Sequence, residues 1–303
     1  MAGIADVLLQ NILPIFLVAA LGFWLQRTQK LDRRSLASVV FNGFSPALVF
    51  VSLVNSELAL SELGRLAVFT VLFIFAMGLL ALLTGRLLQL PRAEIIVLLL
   101  TVMFVNGGNF GLTLNQLRYG EVGLARAIVY YSVSTSLVYT VGVFLASMGE
   151  KSWRESLRRL TRVPAIYAVI LAIIFYSSDW SLPGPLMRGL EVAAAGAIPL
   201  MLVVLGMNLA AFSPGAGLRP AVPATVLRLL VGPVVAFALA ALLGLQGLSR
   251  ATAIVEASMP TAVITTVIAT EFDVQPVQVT GIVVLSTLLS PLTLSFFINL
   301  FGL

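Results

Sequence analysis

The chain has 303 residues, of which 59% are hydrophobic and only 10% charged, with a mean hydropathy of +1.06. That composition excludes a soluble globular domain and matches a polytopic membrane protein with room for about ten spans of roughly 20 residues each. With no cysteine and no histidine, thiol chemistry, disulfides, histidine-ligated haem and the usual zinc sites are removed, and no cofactor is expected.

In chain order, apolar runs fall near 6–26, 35–54, 65–88, 94–117, 122–147, 163–178, 187–211, 218–244, 250–271 and 277–301. The first has no basic stretch before it and no small-residue cleavage site after it, so it reads as a retained span and not a leader. Span 2 carries Asn42, Ser45 and Pro46 near its middle, and span 7 carries Pro199 and Asn208. These amides and hydroxyls either line a cavity or bond neighbouring helices. Trp24, Trp153 and Trp180 lie near span ends and read as interfacial anchors. The polar linker Met148 to Arg162 separates a first five-span unit, 1–147, from a second, 163–303.

The net charge of +5 lies in short loops, where it orients a membrane protein, and nucleic acid is not an expected partner. Twelve basic residues, among them Arg33, Arg34, Arg92 and Arg158, fall in loops after odd-numbered spans, and five fall on the other side. The bias predicts odd loops in the cytoplasm and both termini outside. The units also echo one another. Pro14 matches Pro164 at an offset of 150, Pro46 matches Pro199 at 153, and the polar break near Val105–Asn106 matches Met259–Pro260–Thr261 at about 155. An odd number of spans per unit inverts the second relative to the first, the arrangement of transporters whose sites lie at broken helices near the midplane.

Span 4 contains MFVNGGNFGLTL, Met103 to Leu114, and span 9 contains SMPTAV, Ser258 to Val263. Proline, glycine and asparagine interrupt helices, and unwound backbone in hydrocarbon is tolerated only where protein or a water-filled cavity covers it. Two such breaks aim half-helix N-termini at one place and suit a small anion, with Asn106, Asn109 and Thr261 as side-chain donors. Gly107, Gly108 and Gly111 have a second reading as close-packing residues. Glu256, four residues before Pro260, reads either as a proton or cation site or as a carboxyl bonded to unwound backbone. Arg228, inside span 8, reads as a partner of Glu256 or of substrate, or as a snorkelling side chain with a structural role.

These segments resemble the auxin efflux carrier family, which includes plant PIN-type carriers and bacterial organic-acid permeases. Asn106, Gly111 and Tyr119–Gly120 fit that family's span-4 pattern, while Thr113 and Val105 stand where it has prolines, leaving Gly107 and Gly108 to open the helix. AIVEASMPTAV, EFDVQP, RLLVGP and VYT, the last suggesting Tyr139 as a cavity residue, resemble the family further along. The short linker matches its compact form.

The resemblance implies an all-α fold of ten transmembrane helices in two inverted repeats, with broken helices 4 and 9 crossing, as in bile-acid and sodium/proton carriers. Spans 1, 2, 6 and 7 would form a scaffold and spans 3–5 and 8–10 a moving transport domain. From the residues themselves, Gly111, Pro46 and Pro199 are the expected structural hinges. The resemblance further implies a multi-pass carrier of a small organic anion, an auxin-like compound or a mono- or dicarboxylic acid, in a bacterial inner membrane. The expected mechanism is elevator-type export driven by membrane potential, with proton- or sodium-coupled symport as the alternative and the lipid bilayer and a homodimer through scaffold helices as partners. The expected substrate residues are Asn106, Gly107, Gly108, Asn109, Pro260, Thr261, Tyr139, Asn42, Ser45 and Asn208, with Glu256 for ion coupling and no metal. An intramembrane sensor is the rival from another class, but nothing in this sequence reads as a soluble domain to receive its signal. An enzyme would need a carboxylate pair or a Ser-Lys dyad in the membrane, and no lysine lies in any span.

Overall fold

The computed structural model describes residues 4–56, 58–147, 163–178, 180–210 and 220–303. The expected linker Met148 to Arg162, with Trp153, lies outside them. The helices are α1 Ile4–Gln29, α2 Arg33–Val54, α3 Leu60–Leu87, α4 Arg92–Met103, α5 Gly107–Ala146, α6 Pro164–Ser177, α7 Gly184–Ala210, α8 Ala221–Leu242, α9 Gly247–Ala257, α10 Ile264–Glu271 and α11 Pro276–Leu300. Among the described residues, seven of them (α1, α2, α3, α5, α7, α8 and α11) are long and apolar enough to cross a membrane, and α6 is a shorter apolar helix. The expected span 4 is divided between α4 and the start of α5, and the expected span 9 between α9 and α10.

The expected spans 4 and 5, 94–117 and 122–147, adjoin within α5, where the chain is non-helical at Gly120 (φ 65°, ψ −161°) and a kink divides two helices. Glycine takes that backbone without strain, which a β-carbon would oppose.

Among the described residues, five stretches have π-helical geometry: Val7–Ile12, Val40–Phe44, Gly107–Gly111, Val138–Gly142 and Leu227–Val231. Pro14, Pro46 and Pro233 each stand two residues past the end of one of them. A proline has no N–H to donate and its ring collides with the carbonyl four residues back, so a locally widened turn relieves both problems. Thr113 holds the same place after Gly107–Gly111. Pro199 lies inside α7, where no π stretch accompanies it.

The helices pack in two groups. In one, α1 lies on α7 and α6 on α2; in the other, α3 packs on α4 and α5, α9 on α5 and α8, and α11 on α8 and α10. Backbones approach closely in the first group, where a β-carbon at Gly22 would come 2.8 Å from the Val203 carbonyl carbon. Ser45 and the Tyr131 hydroxyl, 3.3 Å apart, join the groups near the middle, and Arg118 joins them at one end by donating to Asn11 Oδ1 at 3.2 Å, while also donating to the Leu303 carbonyl beyond α11 in its own group. At that same end Glu62 of α3 accepts from Arg126 of α5 at 2.8 Å and from the Ser249 hydroxyl of α9. Leu17, Leu79, Val192, Leu292 and Trp24 are exposed, as lipid-facing residues are. At the start of α2, Asp32 accepts from Arg34 N and the Ser35 hydroxyl, and chiefly the Ser35 bond holds its carboxyl below the usual range.

Candidate functional site

The two interruptions meet. After Met103 the chain leaves the helix, with Phe104 extended (φ −107°, ψ 125°) and Asn106 at φ −77°, ψ 57°. Val105 and Thr261 form an antiparallel bridge, in which Asn106 N donates to the Pro260 carbonyl at 2.8 Å and Ala262 N to the Phe104 carbonyl at 3.0 Å. Each unwound segment thereby supplies the hydrogen bonds that the other lost, which is how broken helix persists at this depth.

From the crossing, α5 and α10 lead away with their first amides unpaired by helix geometry. Phe110 N and Gly111 N already reach Asn106 O, which leaves the amides of Gly107, Gly108 and Asn109 at the open end. A cavity of about 900 Å³ lies there, lined by Asn106, Gly107, Gly108 and Asn109 from α5 and its entry, and by Ala262, Val263 and Ile264 at the start of α10. Its other wall includes Asn42, Ser45, Tyr139 and Asn208, and its rim reaches the exposed Arg34, Thr270 and Glu271. About half a positive charge gathers at each helix start.

The sequence profile of a family described as "Membrane transport protein" matches residues 7–298. The chain belongs to that family. It is 28% identical over 291 residues to an uncharacterized transporter of Methanothermobacter thermautotrophicus, covering 94% of this chain and 95% of that one. It is 26% identical over 267 residues to an uncharacterized transporter of Methanocaldococcus jannaschii, covering 86% and 87%. A probable auxin efflux carrier component 1b of Oryza sativa is 28% identical over 182 residues, which cover 59% of this chain and 31% of the rice protein. The molecule is an integral membrane transporter of the auxin efflux carrier family.

Within this transporter the expected site residues separate into two sets. Asn106, Gly107, Gly108, Asn109, Tyr139, Asn42, Ser45 and Asn208 line the cavity, whereas Pro260, Thr261, Glu256, Gly111, Pro46 and Pro199 do not. Among the first set, Asn106 stands out: it is 4% exposed, and its side-chain NH2 is buried with no partner. Asn42 donates within its own helix to Ser38, and Asn208 accepts from Arg33 at 3.3 Å. Tyr139 packs its ring 5.5 Å from Phe41.

Thr261 was expected to offer a donor to the cavity, and the structure corrects this. It is fully buried, and its hydroxyl donates to the Thr101 carbonyl at 2.8 Å. Its amide donates to Ser286 Oγ at 3.2 Å. Both polar groups are used to hold the crossing together.

Gly111 closes the π stretch Gly107–Gly111 with right-handed dihedral angles (φ −65°, ψ −49°). Its value lies in space: a β-carbon there would land on the Glu256 carboxylate, 2.6 Å from its carbon, and one at Gly107 would lie 2.7 Å from Glu256 Oε2. Nor do these glycines open the helix, since the departure from helix is at Phe104 to Asn106. Glu256 is thus inserted, fully buried, into a slot on the side of α5. Its Oε1 accepts from Asn115 Nδ2 at 3.1 Å, and its Oε2 has no partner. Asn115 also donates to the Gly111 carbonyl at 3.0 Å, so it bridges the slot.

Arg228 neither snorkels nor reaches the cavity. It is fully buried, donating to the Val102 carbonyl at 2.8 Å and to the Ala257 carbonyl, with its guanidinium 5.3 Å over the Phe73 ring. Sequence reasoning also missed Asn115, Tyr131, Arg33 and Arg34. Asn115 had a signal, as an amide one helical turn past Gly111; Arg33 and Arg34 were counted only as orienting charges.

Proposed function

We propose that this transporter moves a small organic anion, an auxin-like or a mono- or dicarboxylic acid, by elevator-type alternating access. The observation that carries the reading is the convergence of two half-helix N-termini on one cavity, whose lining includes Asn106 with its buried, unpartnered side-chain nitrogen. An anionic carboxylate would accept from the amides at the start of α5 and from Asn106, with the cations Arg33 and Arg34 at the mouth of the same cavity. In this reading α1, α2, α6 and α7 form the scaffold and α3–α5 with α8–α11 the moving body, and the two packing groups support that division. Counting each interrupted helix as one crossing and dividing α5 at Gly120 gives ten crossings. The antiparallel pairing of the two interruptions supports the inverted repeat.

The protein then sits in a bacterial inner membrane with both termini outside, as the basic loops suggest, and pairs through its scaffold by analogy with its family. An interior-negative potential of 100 mV favours outward movement of a monovalent anion by about 2.3 kcal/mol, so export needs no coupled ion. The position of Glu256 off the cavity supports that mode, while its unpartnered Oε2 favours a coupled alternative. Flux of labelled mono- and dicarboxylates, indole-3-acetate included, in proteoliposomes tests the reading. Anion efflux should follow the imposed potential and ignore pH and Na⁺ gradients, equally in the parent and in Glu256→Gln. A gradient response in the parent that disappears in Glu256→Gln would establish coupling at that residue, and no flux of any carboxylate would remove the carrier reading.

A further inference from the structure

Behind the crossing, on the side away from the cavity, two other helix ends meet. Met103 closes α4 and Ala257 closes α9, and the last carbonyls of each helix have no intrahelical donor. Such an end carries about half a negative charge, so two of them together match one cation. Arg228 is placed between them: one guanidinium nitrogen donates to Val102 O and another to Ala257 O. Its acceptors are both backbone. The nearby carboxyl of Glu256 is bonded to Asn115 and set against Gly107 and Gly111. Neither Arg228 nor either of its acceptors lines the cavity.

A full charge buried at this depth is expensive, and tying two carbonyls requires only neutral donors. What a neutral donor lacks is the charge. Left uncompensated, the negative ends of α4 and α9 would oppose the positive ends of α5 and α10 across the width of the crossing, in surroundings where fields are weakly screened. We propose that Arg228 is a positioning residue for the anion site: its charge cancels the two helix ends behind the crossing, so that the two in front set the potential of the cavity. It acts through the helices and not by contact with substrate. The proposal rests on the anion reading of the cavity, and the test below separates the two.

The chain has no cysteine, so a single Ile264→Cys at the cavity wall is a clean reporter. Its modification rates by an anionic methanethiosulfonate (sulfonatoethyl) and a cationic one (trimethylammonioethyl) give a ratio that reads local potential. Arg33 and Arg34 at the mouth contribute equally in every variant and cancel in the comparison. Arg228→Gln keeps N–H donors and removes the charge, and the anionic-to-cationic ratio should fall about tenfold. Arg228→Lys keeps the charge and should stay within about threefold of the parent. Phe73→Glu sets a carboxylate against the guanidinium and offers a second way to cancel the charge, with the same fall expected if the Gln variant does not fold. A folded Gln or Phe73→Glu protein with the parental ratio, or a Lys variant that falls as far as Gln, would overturn the proposal. The parent's own ratio judges the anion reading separately: a preference for the cationic reagent would end that reading while leaving the shift between variants to decide the role of Arg228.

Discussion

The two interrupted helices meet as partners in one crossing, yet they are built differently. The first is polar where it lines the cavity: Asn106, whose buried side-chain nitrogen has no partner, then Gly107, Gly108 and Asn109. At the crossing the second spends its polar groups internally, through Thr261 to Thr101 and Ser286, and shows the cavity Ala262, Val263 and Ile264, with Thr266, Thr270 and Glu271 lining it only farther along α10. In the proposed reading recognition is concentrated on the first arm and support on the second. The backbone pairing is mutual, but the polar groups at the crossing that face the cavity come from the first arm.

Four substitutions divide these roles. Asn106→Leu should have the largest effect, because a hydrogen bond to a charged group is worth about 1.5–3 kcal/mol: carboxylate affinity should fall by roughly tenfold to a hundredfold, read by isothermal titration on purified protein. Unchanged affinity would move recognition off the first arm. Gly111→Ala comes next, since its β-carbon meets the buried Glu256 carboxylate; a loss of about 1–3 kcal/mol, seen as an earlier thermal transition, is expected. Thr261→Val removes one buried hydroxyl donor from the Thr101 carbonyl and should cost about 1 kcal/mol of stability while affinity holds. If affinity collapses while the melting temperature stays put, the second arm is a recognition element after all. Asn42→Ala should do least, with affinity within about twofold of the parent, because that amide donates to Ser38 on its own helix.

Composition and punctuation made a large part of this molecule legible in sequence. Apolar runs located the helices, and Asn, Gly and Pro marked the interruptions within a residue or two, because those residue types alter backbone preference locally. What the side chains do there was much less legible. Thr261 and Thr101 are 160 residues apart, and Asn115 and Glu256 are 141 apart. No local spacing announces that one hydroxyl will be consumed by the other segment, or that Gly111 clears room for a carboxylate. The kink at Gly120, by contrast, was legible: the polar stretch Arg118 to Glu121 separates the apolar runs 94–117 and 122–147, and the glycine with positive φ turns the chain between them. The π stretches were half visible, in that Pro14, Pro46 and Pro233 require some relief of the helix but do not say which kind.

The mutual backbone pairing also has a consequence for how the molecule is made. The first interruption leaves the ribosome long before the second exists, so the Asn106 amide and the Phe104 carbonyl enter the bilayer ahead of Pro260 and Ala262, the residues that satisfy them. Throughout that interval the first arm must be shielded by water, by lipid headgroups or by the insertion machinery. The cavity is therefore completed late in synthesis, and a chain halted before Ala262 carries an arm that nothing of its own can close.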